Sequence, residues 1–416
     1  MVPLFDVAPF TGWVYPNETV IEWSVLIAVY PYITGLVAGA FTVSSLYQVF
    51  GMQRFKPVAH FALLTSLCFM LFVPMPLLLH LGHPERALNV VLTPHLTSAM
   101  AIFGYIASFY LLLLILEGWF AFRPYIIHEA QHQEGMLGSF YRVLTLGSYD
   151  LGENAMRYDR KWIFALAVIG IPAAHGLHGY VGFIFGSLKS REWWASDLMP
   201  LVFLFSAIIS GVALVIALYV AACKLRKMPV DLPCLKGLAY TLWGFIMVVL
   251  VLEGLEFANI IYKARDGIEM IVAYVTGPLL IPYFIIQFAI GAVTPLIILT
   301  YLIWRGTTGR TLIVGVTLSA CLVLMSVMMM RWNVVIGGQE ISKTGKGLLT
   351  YHMLIWGREG ALAAASLVVA PVLVLWGVTR LFPPWAHSSK PQAGGVSVPS
   401  WPAHTQPASA INRMEM

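Results

Sequence analysis

The clearest deficit in this 416-residue sequence is charge, since Asp, Glu, Lys and Arg together occupy only 11% of the positions. Soluble domains typically contain about 25% charged residues. Hydrophobic residues, in contrast, make up 59% of the chain. A protein of this composition has lipid as its main solvent, and its small net charge of +5 gives no indication of a nucleic-acid partner.

The sequence also lacks the cysteine patterns that bind metals or form disulfide frameworks. Its four cysteines are Cys68, Cys223, Cys234 and Cys321. None of them has C-x-x-C or C-x-x-C-H spacing, so iron–sulfur ligation, covalent haem attachment and a disulfide framework have no support. We therefore expect no iron–sulfur cluster and no covalently attached haem in this chain.

Basic residues are missing from the amino-terminal segment, which contains Asp6 and Glu18 but no Lys or Arg before the first apolar run. A secretory signal peptide begins with a positively charged region. We therefore expect the first apolar segment to remain in the protein as a membrane helix.

Long apolar runs are abundant. A helix needs about 20 mostly apolar residues to cross a bilayer, and nine stretches meet this requirement. They lie at 22–50, 57–81, 97–122, 162–187, 198–223, 237–262, 275–304, 311–336 and 360–382. The seventh contains Gly277, Pro278, Pro282 and Pro295, which can break it into pieces, so counts of eight or ten are alternatives. We predict an all-α, polytopic membrane protein.

Small residues recur in the first and fifth spans, as ITGLVAGAFTVSSL at 33–46 and FSAIISGVALVIAL at 205–218. Such residues let helix backbones approach closely in membranes. Two tandem four-helix bundles followed by one extra helix would explain the similarity. Because two small-residue runs also match by chance, the internal repeat is a hypothesis.

Lys and Arg are distributed unevenly between the two sides of a nine-span bundle. Nine of the 25 lie on the side of the N-terminus, and the other 16 lie opposite. Cytoplasmic loops are enriched in Lys and Arg, so we expect a bacterial inner-membrane protein with a periplasmic N-terminus and a cytoplasmic C-terminus. The transmembrane domain would cover 1–382, followed by a disordered cytoplasmic tail at 383–416.

Two pairs of titratable residues lie at membrane depth, His175 with His178 in the fourth span and Glu253 with Glu256 in the sixth. Such residues are costly in a bilayer and by default mark functional sites. The i, i+3 spacing places the members of each pair on one helix face. At about 1.5 Å per residue from Lys161, His178 lies roughly 26 Å across the membrane. Both pairs are therefore expected near the outer surface, facing into the bundle.

Other polar residues reach the same outer surface. The second span ends with His80, followed by His83 and Glu85, and the eighth ends with Arg331 and Asn333. These residues favour a quinone site, because quinone oxygens need hydrogen-bond donors and quinone redox chemistry exchanges two protons. His and Glu can exchange those protons near neutral pH. The loop at 187–198, with its two tryptophans, is expected to cover the mouth of the pocket.

We assign the residues by these criteria. Quinone contacts are expected from His178, His175, Glu253, Glu256, Arg331 and Asn333, and proton exchange with the outer side from His80, His83, Glu85 and Glu256. The main alternative for each residue taken singly is a structural role, since acids and histidines at membrane ends often cap helices or meet lipid headgroups. A solvated structural role is favoured for four residues near the inner surface, namely His60, Glu117, His128 and His132.

Four stretches of the chain resemble the NrfD/polysulfide reductase membrane-subunit family. They are YPYITGLVAGAFTVSSL at 30–46, LLLHLGHPERALNVVLTPHLTSAM at 77–100, IPAAHGLHGYVGFIFG at 171–186 with the following WWASDLMPLVFLFSAIISGVAL, and RWNVVIGGQEIS at 331–342. The second resembles the family's Asp-Leu-Gly-x-Pro-x-Arg signature. Pro84 and Arg86 are in register, but His80 stands where the family usually has Asp.

The resemblance implies a subunit that binds menaquinone or ubiquinone near the outer face and carries no cofactor of its own. It also implies electron exchange with a periplasmic ferredoxin-like iron–sulfur subunit, usually attached to a molybdopterin or other catalytic subunit. The chain would be the quinone-reactive part of a respiratory oxidoreductase and not catalytic alone. By motif, His178 is the first choice for a quinone contact, with His175 beside it, and Tyr32 and Gly35 match the family's first span, which lines the site.

Two other classes of membrane protein are alternatives. A b-type cytochrome anchor needs axial histidines on facing helices at matching depth, but His60 and His80 lie at opposite ends of the second span. An ion- or proton-translocating subunit without redox chemistry of its own would resemble antiporter subunits, which have lysines inside membrane helices. None of the nine predicted spans has a Lys in its interior.

Overall fold

A computed structural model describes residues 10–93, 95–263 and 268–385. In this part of the chain, nine helical segments are long and apolar enough to cross a membrane, which confirms the prediction of an all-α polytopic protein. The predicted disordered tail lies outside the described residues from 386 onward. Trp385, just beyond the expected domain boundary at 382, packs its ring 4.4 Å from the guanidinium carbon of Arg226.

The helices follow one another with short connections. In chain order they are α1 (Val25–Gln48), α2 (Lys56–Met70), α3 (Pro74–His80), α4 (Asn89–Leu92), α5 (Ala99–His132), α6 (Gly135–Leu144), α7 (Glu153–Gly186), α8 (Met199–Leu225), α9 (Leu232–Lys263), α10 (Ile268–Thr276), a π-helix (Leu280–Val293), α11 (Thr294–Trp304), α12 (Gly309–Val335), α13 (Gly337–Glu340) and α14 (Ala361–Leu381). Two strands, β1 (Phe10–Gly12) and β2 (Gly347–Leu349), pair antiparallel. The second span consists of α2 and α3, and the seventh of the π-helix and α11.

The seventh span is continuous from Leu280 to Trp304, so the alternative of a span broken at its prolines is not observed. It begins after the turn at Gly277 and Pro278 as a π-helix and continues directly into α11 at Thr294. Proline removes a backbone donor, and a π-helix closes its hydrogen bonds over five residues instead of four. The wider turns keep the span continuous past Pro282 and leave its backbone partly available for other partners.

The connection between the predicted third and fourth spans, at 123–161, is mostly helical. α5 continues to His132 and α7 already begins at Glu153, with α6 between them. The apolar run ends at Arg123, but this side chain is buried and paired, since it donates to Asp159 at 2.6 Å and to Ser148 at 2.8 Å. A buried charge is tolerated when it is paired and hydrogen-bonded, so the helix extends beyond the hydrophobic segment.

The segments that connect the helices lie on two opposite sides of the bundle, and contacts within each side join segments that are distant in sequence. The side of the N-terminus, here called the N-terminal face, comprises 10–24, 81–93, 187–198, 268–279 and 336–360. Its loops are joined by an ion pair of Arg191 with Glu18 at 3.1 Å and one of His80 with Glu359 at 2.9 Å. The opposite side, the C-terminal face, is joined at the ends of α6 and α14, where the Tyr141 hydroxyl donates to the Leu381 carbonyl.

α1 and α8 form the centre of the bundle. α1 packs with α2, α3 and α7, and α8 packs with α9 and α12, so that the two helices connect two four-helix groups, while α14 packs on the first group. A Cβ built on Gly211 would lie 2.3 Å from the Cα of Gly39, an approach that only glycine allows. The two small-residue stretches therefore pack on each other. This contact explains their composition, and the internal repeat stays a prediction.

Candidate functional site

The largest fully buried side chain of the described residues is Arg331, near the end of α12. Its Nη2 lies 3.0 Å from Nε2 of His178 on α7 and donates to the Ser206 hydroxyl on α8 at 2.6 Å. His178 and Ser206 are also completely buried. Three spans thus bring a guanidinium, an imidazole and a hydroxyl together in a sealed polar centre.

The hydrogen bonding of this centre is incomplete. Arginine only donates hydrogen bonds, so His178 accepts at Nε2, and the neutral imidazole then has its proton on Nδ1. Both Nδ1 of His178 and Nε of Arg331 are buried without a hydrogen-bond partner. Buried donors are nearly always paired in native proteins. Two donors in this centre are therefore available to an acceptor such as a carbonyl oxygen.

Apolar and aromatic groups surround the polar centre. Phe203 lies beneath the guanidinium, 3.9 Å from the Arg331 Cζ, and stacks on the His178 ring with centroids 5.7 Å apart. Gly35 on α1 faces the same imidazole, where an added Cβ would be 3.2 Å from Cε1. Tyr32, one turn earlier on α1, donates to the Leu324 carbonyl of α12 at 3.2 Å. The predicted first-span residues therefore pack around the centre, and Gly35 does so because it has no side chain.

A second polar cluster adjoins the first and is organised by Gln287 of the π-helix. Its Nε2 donates to Glu253 at 3.2 Å, and its Oε1 accepts from Asn333 at 2.8 Å. Its backbone carbonyl accepts from Ser326 of α12 at 2.8 Å. The buried side chain of Gln287 thereby connects α9 to α12 and fixes the orientation of Glu253 and Asn333.

A cavity of about 50 Å³ lies beside this cluster, between α8, α9, the π-helix and α12. Its polar lining consists of Glu253, Glu256, Gln287 and Asn333, and its apolar lining includes Met330. Both carboxylate oxygens of Glu256 and Oδ1 of Asn333 are buried without a partner. The cavity therefore presents unsatisfied acceptors, whereas the sealed centre next to it presents unsatisfied donors.

Two tryptophans close the site toward the N-terminal face, as the sequence predicted for the loop at 187–198. Their indole Nε1 groups donate to the last carbonyls of α12, Trp193 to Asn333 at 3.1 Å and Trp194 to Val334 at 2.6 Å. Arg191 holds the same loop down by donating to the Gly338 carbonyl at 3.0 Å. Burial lowers the pKa of Arg191, and its Glu18 partner opposes this shift.

Comparison with known proteins agrees with this architecture. The sequence model of the NrfD family, described as polysulphide reductase, matches residues 14–342. The chain belongs to this family. A selenate reductase subunit of Mesobacillus selenatarsenatis is 32% identical over 321 residues, which cover 76% of this chain and 73% of that protein. Protein NrfD of Escherichia coli is 26% identical over 340 residues, covering 76% and 95%.

A third relative is more distant and matches a shorter segment. The Hdr-like menaquinol oxidoreductase integral membrane subunit of Archaeoglobus fulgidus is 24% identical over 239 residues, which cover 57% of this chain and 52% of that protein. Both polar clusters lie inside the segment that matches the NrfD family.

Most of the predicted quinone contacts of this NrfD-family chain meet in the two clusters, but His175 does not join them. Its Nε2 is 3.4 Å from the Thr42 hydroxyl, and its Nδ1 is 2.8 Å from the Ile171 carbonyl. It lies on α7, one turn nearer the C-terminal face than His178, and is only half-buried. Its i, i+3 relation to His178 therefore brings it near the site without a direct bond to Arg331.

The residues predicted for proton exchange lie in two different environments. Glu256 lines the cavity, whereas His80 forms a surface ion pair with Glu359, and His83 pairs with Glu85 at 2.9 Å. No hydrogen bond between described residues connects these surface pairs to the buried clusters. A role in proton exchange stays a prediction for all four.

Sequence reasoning missed three polar residues of the bundle interior. Gln287 and Ser206 belong to the clusters, and Glu117 of α5 is buried with both carboxylate oxygens unpaired, although a solvated position was favoured for it. Gln287 had a detectable signal, because it is a lone amide in the apolar stretch PYFIIQFAIG. Ser206 had none, since serine occurs throughout membrane helices as a small packing residue.

Proposed function

We propose that this chain is the quinone-binding membrane subunit of a respiratory oxidoreductase complex, with menaquinone or ubiquinone as its substrate. The observation that carries the proposal is the pair of buried, unpaired donors, Nδ1 of His178 and Nε of Arg331. A quinone has two carbonyl oxygens that accept hydrogen bonds and a flat apolar ring. The two donors match the oxygens, and Phe203 beside them offers an aromatic surface to the ring. The name of the Archaeoglobus relative, a menaquinol oxidoreductase subunit, supports this substrate class.

The polar groups can then divide the chemistry between them. His178 donates from Nδ1 to a substrate oxygen, and the fixed charge of Arg331 stabilises negative charge that develops on that oxygen. Glu256 is positioned to accept or release protons, since Ser196 is the polar side chain near its carboxylate and no hydrogen bond within 3.5 Å holds either oxygen. Quinol oxidation releases two electrons, which would pass to the partner subunit proposed below, and two protons. The Glu256 carboxylate would take up these protons one after the other, each being passed on toward the N-terminal face before the next is accepted.

Met330 separates the cavity from the sealed centre. It lines the cavity, and its sulfur accepts from Nη1 of Arg331 at 3.7 Å. A cavity of about 50 Å³ cannot hold a quinone ring, because pockets for such ligands measure about 300 Å³ or more. Methionine is flexible and adapts to irregular spaces, so rotation of this side chain is the movement we propose for connecting the cavity with the donors of Arg331 and His178.

We further propose that the N-terminal face is the periplasmic side of a bacterial inner membrane and that protons exchange with this side. Electrons would pass to or from a ferredoxin-like iron–sulfur subunit bound there, itself attached to a molybdopterin or other catalytic subunit. The names of the relatives, which are subunits of reductases and of a menaquinol oxidoreductase, support membership of such a complex.

The test uses the complex isolated with its native partner subunits. His178→Ala should abolish electron exchange with a quinol analogue while the subunits still co-purify, because the donor to the substrate oxygen is lost. Ile169→Ala, at a lipid-exposed position of the same helix, is the control and should keep wild-type turnover. Unchanged quinol kinetics in His178→Ala, or a haem absorbance band stoichiometric with this chain, would contradict the proposal.

A further inference from the structure

α9 and the π-helix are joined by side chains across one edge of the cavity. Phe257 of α9 stacks on Tyr283 of the π-helix with ring centroids 6.2 Å apart and meets Phe284 edge-on at 5.9 Å. One turn deeper, Glu253 accepts from Gln287. The cavity lies beside these contacts, and both elements contribute to its lining.

One face of α9 lines this edge, and the opposite face is exposed. Glu253, Glu256 and Ile260 follow each other at i, i+3 and i+7, and all three line the cavity. Leu255 is 54% exposed and Ile261 is 48% exposed, which places them toward the surrounding lipid. The cavity edge formed by Ile260, Phe257 and Tyr283 therefore lies next to exposed apolar side chains of α9.

The other sides of the cavity are closed. Toward the N-terminal face, Trp193 and Trp194 are 6% and 2% exposed and are hydrogen-bonded to the end of α12. Toward α8 and α12, the wall consists of buried side chains, among them Met199 at 3% and Val202 at 4% exposed. The side between α9 and the π-helix is closed only by partly exposed side chains that can change rotamer without breaking a backbone hydrogen bond.

We propose that the lipid-soluble substrate enters and leaves sideways from the bilayer, between α9 and the π-helix, through an opening closed by Phe257, Ile260 and Tyr283. This inference rests on the proposed function. A quinone is dissolved in the hydrocarbon layer, so a lateral opening spares its isoprenoid tail a passage through water. Once past the aromatic side chains of Phe257 and Tyr283, the quinone ring would first meet the carboxylate of Glu256 and then the flexible side chain of Met330.

Adjacent isoleucines provide a matched test of this route. In the intact complex, Ile260→Trp fills the opening and should raise the KM for a long-chain quinol at least about fivefold with little change in kcat, since added bulk in a packed site is costly. Ile261→Trp adds the same bulk on the lipid-facing side and should keep the wild-type KM. Equal kinetics of the two variants would contradict lateral access, provided that both co-purify with the partner subunits.

A photoreactive quinone separates failure of the route from failure of the proposed function. A ring-azido quinone with an isoprenoid tail should label peptides from α9 or the π-helix, and excess unlabelled quinone should prevent the labelling. Competable labelling found only on α1 or α7 would overturn the lateral route but agree with a quinone site. A complex that shows neither competable labelling nor quinol turnover would overturn both proposals.

Discussion

His178 and His80 are similar in sequence, since each lies near the N-terminal-face end of a membrane span and has a second histidine three residues away. Their surroundings differ completely. His178 is fully buried, with Nε2 bonded to Arg331 and Nδ1 unpaired, whereas the His80 side chain is 23% exposed and pairs with Glu359. An unsatisfied buried donor requires an explanation, while a satisfied surface histidine does not.

Glu256 and Glu85 show the same difference between a buried and an exposed polar side chain. Glu256 has both carboxylate oxygens buried and unpaired beside the cavity, and Glu85, with a 64% exposed side chain, pairs with His83. In water the carboxylate of Glu85 loses little when its partner leaves. In the membrane interior, Glu256 must either bind a proton or find a donor, because an unpaired charge is costly there. The comparison identifies the buried clusters as the place where substitutions should matter.

The largest effect is expected from Arg331→Leu. The change removes the donor to His178 and Ser206 and leaves both neutral groups buried, and each buried group left unsatisfied costs about 1–3 kcal/mol. We expect loss of quinol turnover and a lower yield of the complex. Arg331→Lys keeps the charge without the planar fork and should recover yield better than turnover. The measurement is quinol turnover of both variants, normalised to the amount of co-purified partner subunits. Wild-type turnover in Arg331→Leu would show that the centre is only structural.

A smaller loss is expected from Glu256→Gln, which keeps the shape of the side chain but removes its titratable proton. Proton transfer by a positioned group typically contributes about 10²-fold or more, so kcat should fall by roughly this factor if Glu256 is the acceptor. Glu253→Gln is the comparison, since Glu253 is already hydrogen-bonded to Gln287. Stopped-flow quinol oxidation measures both variants. An equal or larger loss in Glu253→Gln would transfer the proton role to that residue.

Gln287→Leu should have a moderate effect. It removes the amide between Glu253 and Asn333, and leaving such buried groups unsatisfied costs about 1–3 kcal/mol. We expect a reduced kcat/KM for the quinol with normal assembly of the complex. Ile285→Leu, on the exposed side of the same π-helix, is the control. If the two variants had the same kcat/KM, the amide bridge would have no part in substrate binding.

The smallest effect is expected from His80→Ala. Its ion pair with Glu359 is partly exposed, and exposed pairs contribute about 0–1 kcal/mol. At this partly exposed position, water can carry protons in place of the His80 side chain. Quinol turnover should therefore change by less than about twofold. Glu359→Gln should behave in the same way. A severe loss of proton release in proteoliposomes, measured with a pH indicator, would instead show that the surface pairs are an obligatory part of the proton path.

The membrane spans and the inward face of α9 were predictable from the sequence, because both follow from local composition and periodicity. Apolar runs identified the nine spans, and the i, i+3 spacing of Glu253 and Glu256 correctly placed both on the cavity side of α9. The NrfD family was also recognisable from short motifs. These properties depend on residues close together in the chain.

Contacts between distant residues were decided only by the tertiary structure. Arg123 lies outside the apolar run, yet α5 continues past it because Asp159 neutralises its charge from another helix. Gln287 became central because a π-helix turned it toward Glu253 and Asn333. His178 and His80 were alike until packing buried one beside Arg331 and left the other at the surface. Burial and long-range pairing set the free energy of a polar group, and neither can be read from its sequence neighbours.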